Sequence, residues 1–172
     1  MRDEDLISMF LEGDINSFNY LVIRWRNKIF SLLYRFTGSK EDAEDLTQET
    51  FVKVFKNLKA LKDKNKFSSW ITSVALNTAR THLNHRKSCH EELNKFDFHK
   101  DSNQSDVKEV FENAFKHLPE DQREVILLKE YQGFSFKEIS EILNIPEGTA
   151  KSRMFYGLKN LKNYLSPIFE RR

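Results

Sequence analysis

Apolar residues recur along this chain every three to four positions, in several separate runs, and that is the spacing of amphipathic α-helices. Asp3–Glu12 places Leu6, Ile7, Phe10 and Leu11 on one side of a short helix. A second helix runs to about Phe36 with Phe18, Leu21, Val22, Trp25, Ile29, Leu32 and Leu33 in line; Asn16 or Ser17 is placed to cap it, and Thr37-Gly38 closes it. Ser39, with Asp42 three residues on, resembles a capping box, and opens a third helix from Glu41 to about Leu58 with Ala43, Leu46, Val54, Phe55 and Leu58 as core. Lys59–Ser69 reads as a loop. A fourth helix, Trp70 to about His85, uses Ile71, Val74, Ala75, Thr78 and Leu83.

Periodicity then stops. KSCHEELNKFDFHKDSNQS, residues Lys87–Ser105, is polar and rich in Ser, Asn and Asp, and reads as a linker. The helical pattern returns at Val107, Val110, Phe111, Ala114, Phe115 and Leu118. Pro119 opens a further helix with Val125, Ile126 and Leu128, ended by Gln132-Gly133. The expected fold is therefore all-α: two small helical domains, 1–87 and 106–172, joined by a flexible linker, 88–105.

The last stretch, SFKEISEILNIPEGTAKSRMFYGLKNLKNYL, predicts a helix-turn-helix. Ser135 and Glu138 have capping-box spacing, and Ile139, Ile142 and Leu143 share a face. Asn144 tolerates the left-handed conformation that ends helices, and Pro146 suits the first turn of the next. From Thr149 on, Ala150, Met154, Leu158, Leu161 and Leu165 point inward by spacing; Lys151, Ser152, Arg153, Phe155, Tyr156, Lys159 and Lys162 are among the outward positions. Between Thr149 and Leu165 there are four basic residues and no acid. The second helix of such a unit lies in the DNA major groove and presents its N-terminal residues to base edges, where Arg or Lys pairs with guanine acceptors and an apolar ring meets a thymine methyl.

Composition narrows the picture. The 172 residues hold 31% charged and 39% hydrophobic side chains with only 5 Gly and 3 Pro, which argues against a turn-rich β fold. Net charge is +2 but unevenly spread: residues 1–87 carry 15 basic and 11 acidic side chains, 88–105 carry 2 and 4, and 106–172 carry 11 and 11. A basic stripe on a near-neutral domain implies local phosphate contact rather than bulk attraction. No apolar run reaches the roughly 20 residues that span a bilayer, and the acidic start MRDEDLISMF lacks a signal-peptide core, so no membrane insertion is expected. The single cysteine, Cys89, suits a reducing cytoplasm.

A second segment carries chemistry. In EDAEDLTQETFVKVF, acids crowd the first turns of the third helix, as its dipole favours. Asp45, Gln48, Glu49 and Val52 form a stripe distinct from the core stripe, readable as a solvated helix start or as a docking face for a basic protein. His82, His85, Cys89 and His90 cluster in sequence, but structural zinc sites show tighter pairs such as C-x-x-C; no metal or cofactor is expected. There is no Gly-rich phosphate loop, H-E-x-x-H or nucleophile elbow, so an enzyme is not expected. A two-domain repressor would share the C-terminal half, but has no need of the acidic helix.

The order of an acidic D-A-E-D-L-x-Q-E-T-F helix, a helix with Trp70, Asn77 and Arg80, a polar linker, L-P-x-x-x-R-x-V and the helix-turn-helix resembles the extracytoplasmic-function sigma factors, small bacterial initiation subunits of RNA polymerase. The likeness runs from about Phe18 to Leu165. It implies a promoter-recognition subunit that binds core RNA polymerase and promoter DNA and is held inactive by an anti-sigma factor. It implies polymerase binding by Asp45, Leu46, Gln48, Glu49 and Val52, with Leu46 open to a core role. It implies −10 contacts by a base-trapping loop with Lys64, Asn65, Phe67 and Ser69, and by Asn77, Arg80, Arg86 and Lys87 on the helix after it. Thr149, Lys151, Ser152, Arg153, Phe155, Tyr156 and Lys159 form the implied −35 set. The chain departs from the family at Tyr156, Gly157 and Leu158, where an arginine, a small residue and another arginine are common, so two basic contacts are lost; Gly157 also weakens a helix interior by about 1 kcal/mol relative to Ala.

Overall fold

The computed structural model describes residues 1–90 and 107–169; of residues 86–90, 107–109, 112, 168 and 169 it describes the backbone alone. The described residues form helices without a strand. They are α1 (Asp3–Leu11), α2 (Ile15–Thr37), α3 (Lys40–Asn57), α4 (Phe67–His90), α5 (Val107–Lys116), α6 (Glu120–Ile126), α7 (Phe136–Leu143) and α8 (Glu147–Phe169). They fall into two compact units, α1 to α4 and α5 to α8 in the main.

In the first unit α2 is the central element. Asp14, rather than Asn16 or Ser17, caps it: its carboxylate accepts from the Asn16 N–H at 3.0 Å, and the Ser17 hydroxyl donates to the Asp14 carbonyl at 2.7 Å. Gly38 ends the helix at φ 72° and donates its N–H to the Tyr34 carbonyl. Leu21, Trp25, Ile29, Leu32, Leu33 and Phe36 are buried against Leu6 and Ile7 of α1, Ala43, Leu46, Phe51 and Val54 of α3, and Phe67, Ile71, Ala75 and Leu76 of α4. Trp25 donates its indole N–H to Asp3 at 3.0 Å, which fastens α1 to α2. Phe51 and not Phe55 is the buried ring of α3; Phe55 is 44% exposed and meets Phe10 and Phe18 edge-on at 5.2 and 5.1 Å.

Two boundaries differ from expectation. The stretch between α3 and α4 contains two 3₁₀ turns, Leu58–Ala60 and Lys64–Lys66, and α4 begins at Phe67. At its other end α4 continues through Lys87 to His90, so the first residues assigned to the linker are helical; polar residues with fair helix propensity extend a helix without leaving a periodic trace. The remainder, residues 91–106, lies outside the described residues.

In the second unit Val125, Ile126, Leu127 and Leu128 of α6 and the π turn that follows it (Leu127–Tyr131) form the core with Ala114, Leu118, Phe134, Ile139, Ala150, Met154 and Leu161. The Arg123 guanidinium donates to the Lys116 and Leu118 carbonyls at 3.2 and 3.0 Å, satisfying the end of α5. Ser135 and Glu138 form the reciprocal capping box that their spacing predicts. The Ser135 hydroxyl and then its N–H hold the Glu138 carboxyl below its ordinary pKa. This contribution is therefore present at neutral pH and fades as pH falls through the lowered pKa. Asn144 stands at φ 53° at the end of α7.

Gly157 has a role that helix propensity alone does not show. It faces α6, where a Cβ would stand 2.7 Å from Ile126 Cδ1 and 3.3 Å from Gln122 Cβ. Leu158, placed inward by spacing, is instead 47% exposed. Gly157→Ala gains about 1 kcal/mol of helix propensity, but overpacking typically costs about 1–3 kcal/mol. We expect a net loss of about 1 kcal/mol in urea unfolding, reduced when Ile126→Val removes the obstructing methyl. A Gly157→Ala protein more stable than the parent would overturn this account.

Candidate functional site

Along the outer side of α3, Asp45, Gln48, Glu49 and Val52 are all exposed, Val52 by 51%. One acid is partly answered within the helix: Glu49 pairs with Lys53 at 2.8 Å, and Lys53 donates to Thr78 on α4 at 3.1 Å. Leu46 is 2% exposed and packs inward. It cannot reach a partner while α3 is seated, so its place is in the core and not on the docking strip. Thr47 and Thr50 turn inward too, their hydroxyls donating to the Ala43 and Leu46 carbonyls at 2.6 and 2.7 Å.

The segment before α4 is built by Asp63, which caps the turn: its carboxylate accepts from the Asn65 backbone N–H at 3.0 Å and side-chain amide at 3.1 Å. Asn65 is thereby presented on an exposed turn. Lys64 is half-buried and donates to Ser8 of α1 at 2.7 Å. Phe67 is 1% exposed, edge-on to Trp25 at 5.7 Å and tilted against Trp70 at 6.1 Å. The ring is a core element and not a wall of a base pocket: starting a helix, it offered no earlier turn from which its face could be read. Ser69 and Trp70 are half-buried and Ile71 is buried. Farther along α4, Asn77 is exposed and accepts from Arg80 at 2.8 Å. His82 lies 3.4 Å from Asp42 of α3. Among the described residues no three metal-ligating side chains converge. Arg86 and Lys87 are helical, with side chains outside the described set.

On α8 three of the expected DNA readers are held within their own unit. Lys151 pairs with Glu147 at 2.7 Å, and the Ser152 hydroxyl donates to the Gly148 carbonyl at 2.9 Å. Arg153 does not point straight outward; its Nε lies 3.2 Å from Asp121 Oδ2 on α6, and its side chain is 29% exposed. This pair, the Gly157–Ile126 approach and the Asn160 amide donating to Gln122 at 2.8 Å form one seam between α6 and α8. Asp121 is a partner of Arg153 that sequence reasoning missed, because two helices separated by a turn and a third element carry no local spacing signal. Phe155 and Tyr156 are 64% and 55% exposed, with rings 5.4 Å apart edge-to-face. Thr149 is half-buried, its N–H donating to the Pro146 carbonyl at 2.9 Å, and Lys159 is exposed. The result is a helix face of cations and bare aromatic surface whose acids sit at its N-terminal end and on α6.

Comparison with known proteins gives these surfaces a context. Residues 21–89 match the sigma-70 region 2 family and residues 108–161 match sigma-70 region 4. The ECF RNA polymerase sigma-E factor of Escherichia coli K12 is 29% identical over 99% of this chain and 98% of its own length. That of Haemophilus influenzae is 28% identical over 98% and 97%, and the RNA polymerase sigma-H factor of Pseudomonas aeruginosa is 27% identical over 97% and 95%. Among solved structures, the sigma factor RpoE in complex with the anti-sigma factor NepR from Bartonella quintana has TM-score 0.75 at 21% identity, covering 88% of this chain and 98% of that one. CnrH in complex with the cytosolic domain of CnrY also has TM-score 0.75, at 22% identity, covering 96% and 97%. At those identities the structures speak to the fold; the two family matches, in order and spanning most of the chain, speak to descent. The chain belongs to the extracytoplasmic-function sigma factors.

Proposed function

We propose that this chain binds core RNA polymerase and directs it to begin transcription at particular promoters. The observation that carries this is the pairing, in one chain, of a region 2 domain with an exposed acidic strip on α3 and a region 4 domain with a basic, aromatic recognition helix. A repressor needs the second but not the first. We assign core-polymerase docking to Asp45, Gln48, Glu49 and Val52. The −10 element falls to Asn65, Ser69, Asn77 and Arg80, with Lys64, Arg86 and Lys87 supplying charge. Extruding a base costs a few kcal/mol, which polar groups at the Asp63-capped turn offset by meeting its edge. The −35 element falls to Lys151, Ser152, Arg153, Phe155, Tyr156 and Lys159, with Thr149 setting the start of the helix. On this reading residues 1–87 and 106–172 act as separate DNA-binding domains. The chemistry of RNA synthesis belongs to the polymerase and not to this chain, which works beside DNA in the cytoplasm.

Among solved proteins of this fold, the sigma factor RpoE is in complex with the anti-sigma factor NepR and CnrH with the cytosolic domain of CnrY. We propose the same control here, an inhibitor covering the α3 strip or the α8 face.

Runoff transcription on a promoter library with core polymerase tests the function. The chain is expected to convert non-specific initiation into initiation on a subset with a shared −35 and −10 pair; a library transcribed identically with and without it would refute the reading. On a promoter so found, Arg153→Ala is expected to weaken binding by about 1–3 kcal/mol, with relaxed discrimination at one −35 position. An equal loss on scrambled −35 DNA would show that Arg153 touches only phosphate.

A further inference from the structure

Helix α2 has a second apolar stripe, on the side turned away from its buried face. Tyr20, Ile23, Asn27, Phe30 and Tyr34 recur at spacings of three, four, three and four, the repeat by which one helix seats against another. Tyr20 is 60% exposed and Ile23 73%. Phe30 and Tyr34 are half-buried and stack on each other, centroids 6.2 Å apart and planes 10° from parallel. A surface helix of a globular domain ordinarily keeps its outward face polar. Here that face is apolar along about 20 Å of helix.

Charge says what the face fits. Ile15–Thr37 contains four basic residues and no carboxylate. Arg24 and Arg26 flank the stripe on opposite sides. Arg24 is ion-paired with Asp3 and donates to the Met1 carbonyl, so its charge is in part already answered; Arg26 is exposed and open to a partner. We propose that the outward face of α2 docks an acidic amphipathic helix of a protein partner, its apolar residues on Tyr20, Ile23, Phe30 and Tyr34 and its carboxylates beside Arg26. Asn27, at the middle of the seam, calls for a polar group opposite and so fixes register. A second copy of α2 would set cation against cation. An aliphatic side chain such as Ile23 gives a nucleic-acid base no ring to stack on. The α3 strip, of opposite sign, selects a different surface, so this docking stands apart from polymerase binding.

The test uses the full-length chain and fluorescent synthetic helices of about three heptads, with leucine at the seam positions and either glutamate or lysine on the flanks. The glutamate-flanked peptide is expected to bind in a salt-sensitive way. Ile23→Glu is expected to weaken it about tenfold or more, and Arg26→Glu to weaken it while improving the lysine-flanked peptide. Asp45→Arg should leave it unchanged. Both substituted α2 positions are solvent-facing, so circular dichroism should match the parent. The proposal is overturned by equal binding of the two peptides or by binding that ignores Ile23→Glu. It is also overturned by competition from an oligo-dT strand at this face, or by self-association that Ile23→Glu abolishes.

Discussion

Replacing Phe67 with alanine is expected to destabilise the first unit by about 3–5 kcal/mol, the usual cost of removing a buried aromatic ring. The ring is 1% exposed and lies between Trp25 and Trp70 at the start of α4, and Trp25 in turn holds α1 through Asp3. A domain of this size has only about 5–15 kcal/mol in hand. The loss would therefore appear as a large drop in the urea midpoint, with polymerase binding and promoter opening falling together because the fold that presents them is depleted. Asn65→Ala is the matched control. Asn65 is exposed on the Asp63-capped turn, so its removal should change stability by about 0.5 kcal/mol or less while lowering promoter opening. If Phe67→Ala unfolded like the parent and lost opening alone, the ring would have to reach a base after all.

Phe67 also shows where reading a sequence by periodicity stops. Local chemistry was legible: the Ser135–Glu138 box, the left-handed Asn144 and the closing Gly38 each depend on residues a few positions apart. The buried face of α2 was legible because seven apolar positions, Phe18 to Leu33, recur over more than four turns. What was not legible is which of two adjacent residues a neighbouring helix selects. On α8, Leu158 and Gly157 satisfy the spacing equally well, and hydrophobicity favours leucine. Ile126 decides for glycine, because its Cδ1 stands 2.7 Å from where a Cβ would lie. Arg153 turned toward Asp121 for the same reason: the attraction comes from a helix some thirty residues earlier. Leu46 sits on a helix whose acids mark one side, but only packing shows that leucine belongs to the other. The end of α4 was missed because RKSCH, residues 86–90, offers no apolar repeat for periodicity to report.

Reversing charge on α3, Asp45→Arg with Glu49→Arg, is expected to abolish co-purification with core polymerase and leave helix content unchanged. Both side chains are exposed and lie beyond the first turn of α3, where the helix dipole has largely faded, so the fold has little stake in their sign. An interface built to receive acids would instead meet two cations, a mismatch that costs several kcal/mol. Each 1.4 kcal/mol is tenfold in affinity, which takes a nanomolar complex to micromolar or weaker. The structure further divides the effect between the two sites. Glu49 is already paired with Lys53 at 2.8 Å, so part of its charge is answered before any partner arrives. Asp45→Arg alone should therefore cost more binding than Glu49→Arg alone. Leu46→Ala should behave differently from both, lowering the unfolding midpoint because Leu46 is 2% exposed. Co-purification of the double variant at the parental level would remove α3 from the polymerase interface, and a larger effect at Glu49 than at Asp45 would mean that the Lys53 pair opens on docking.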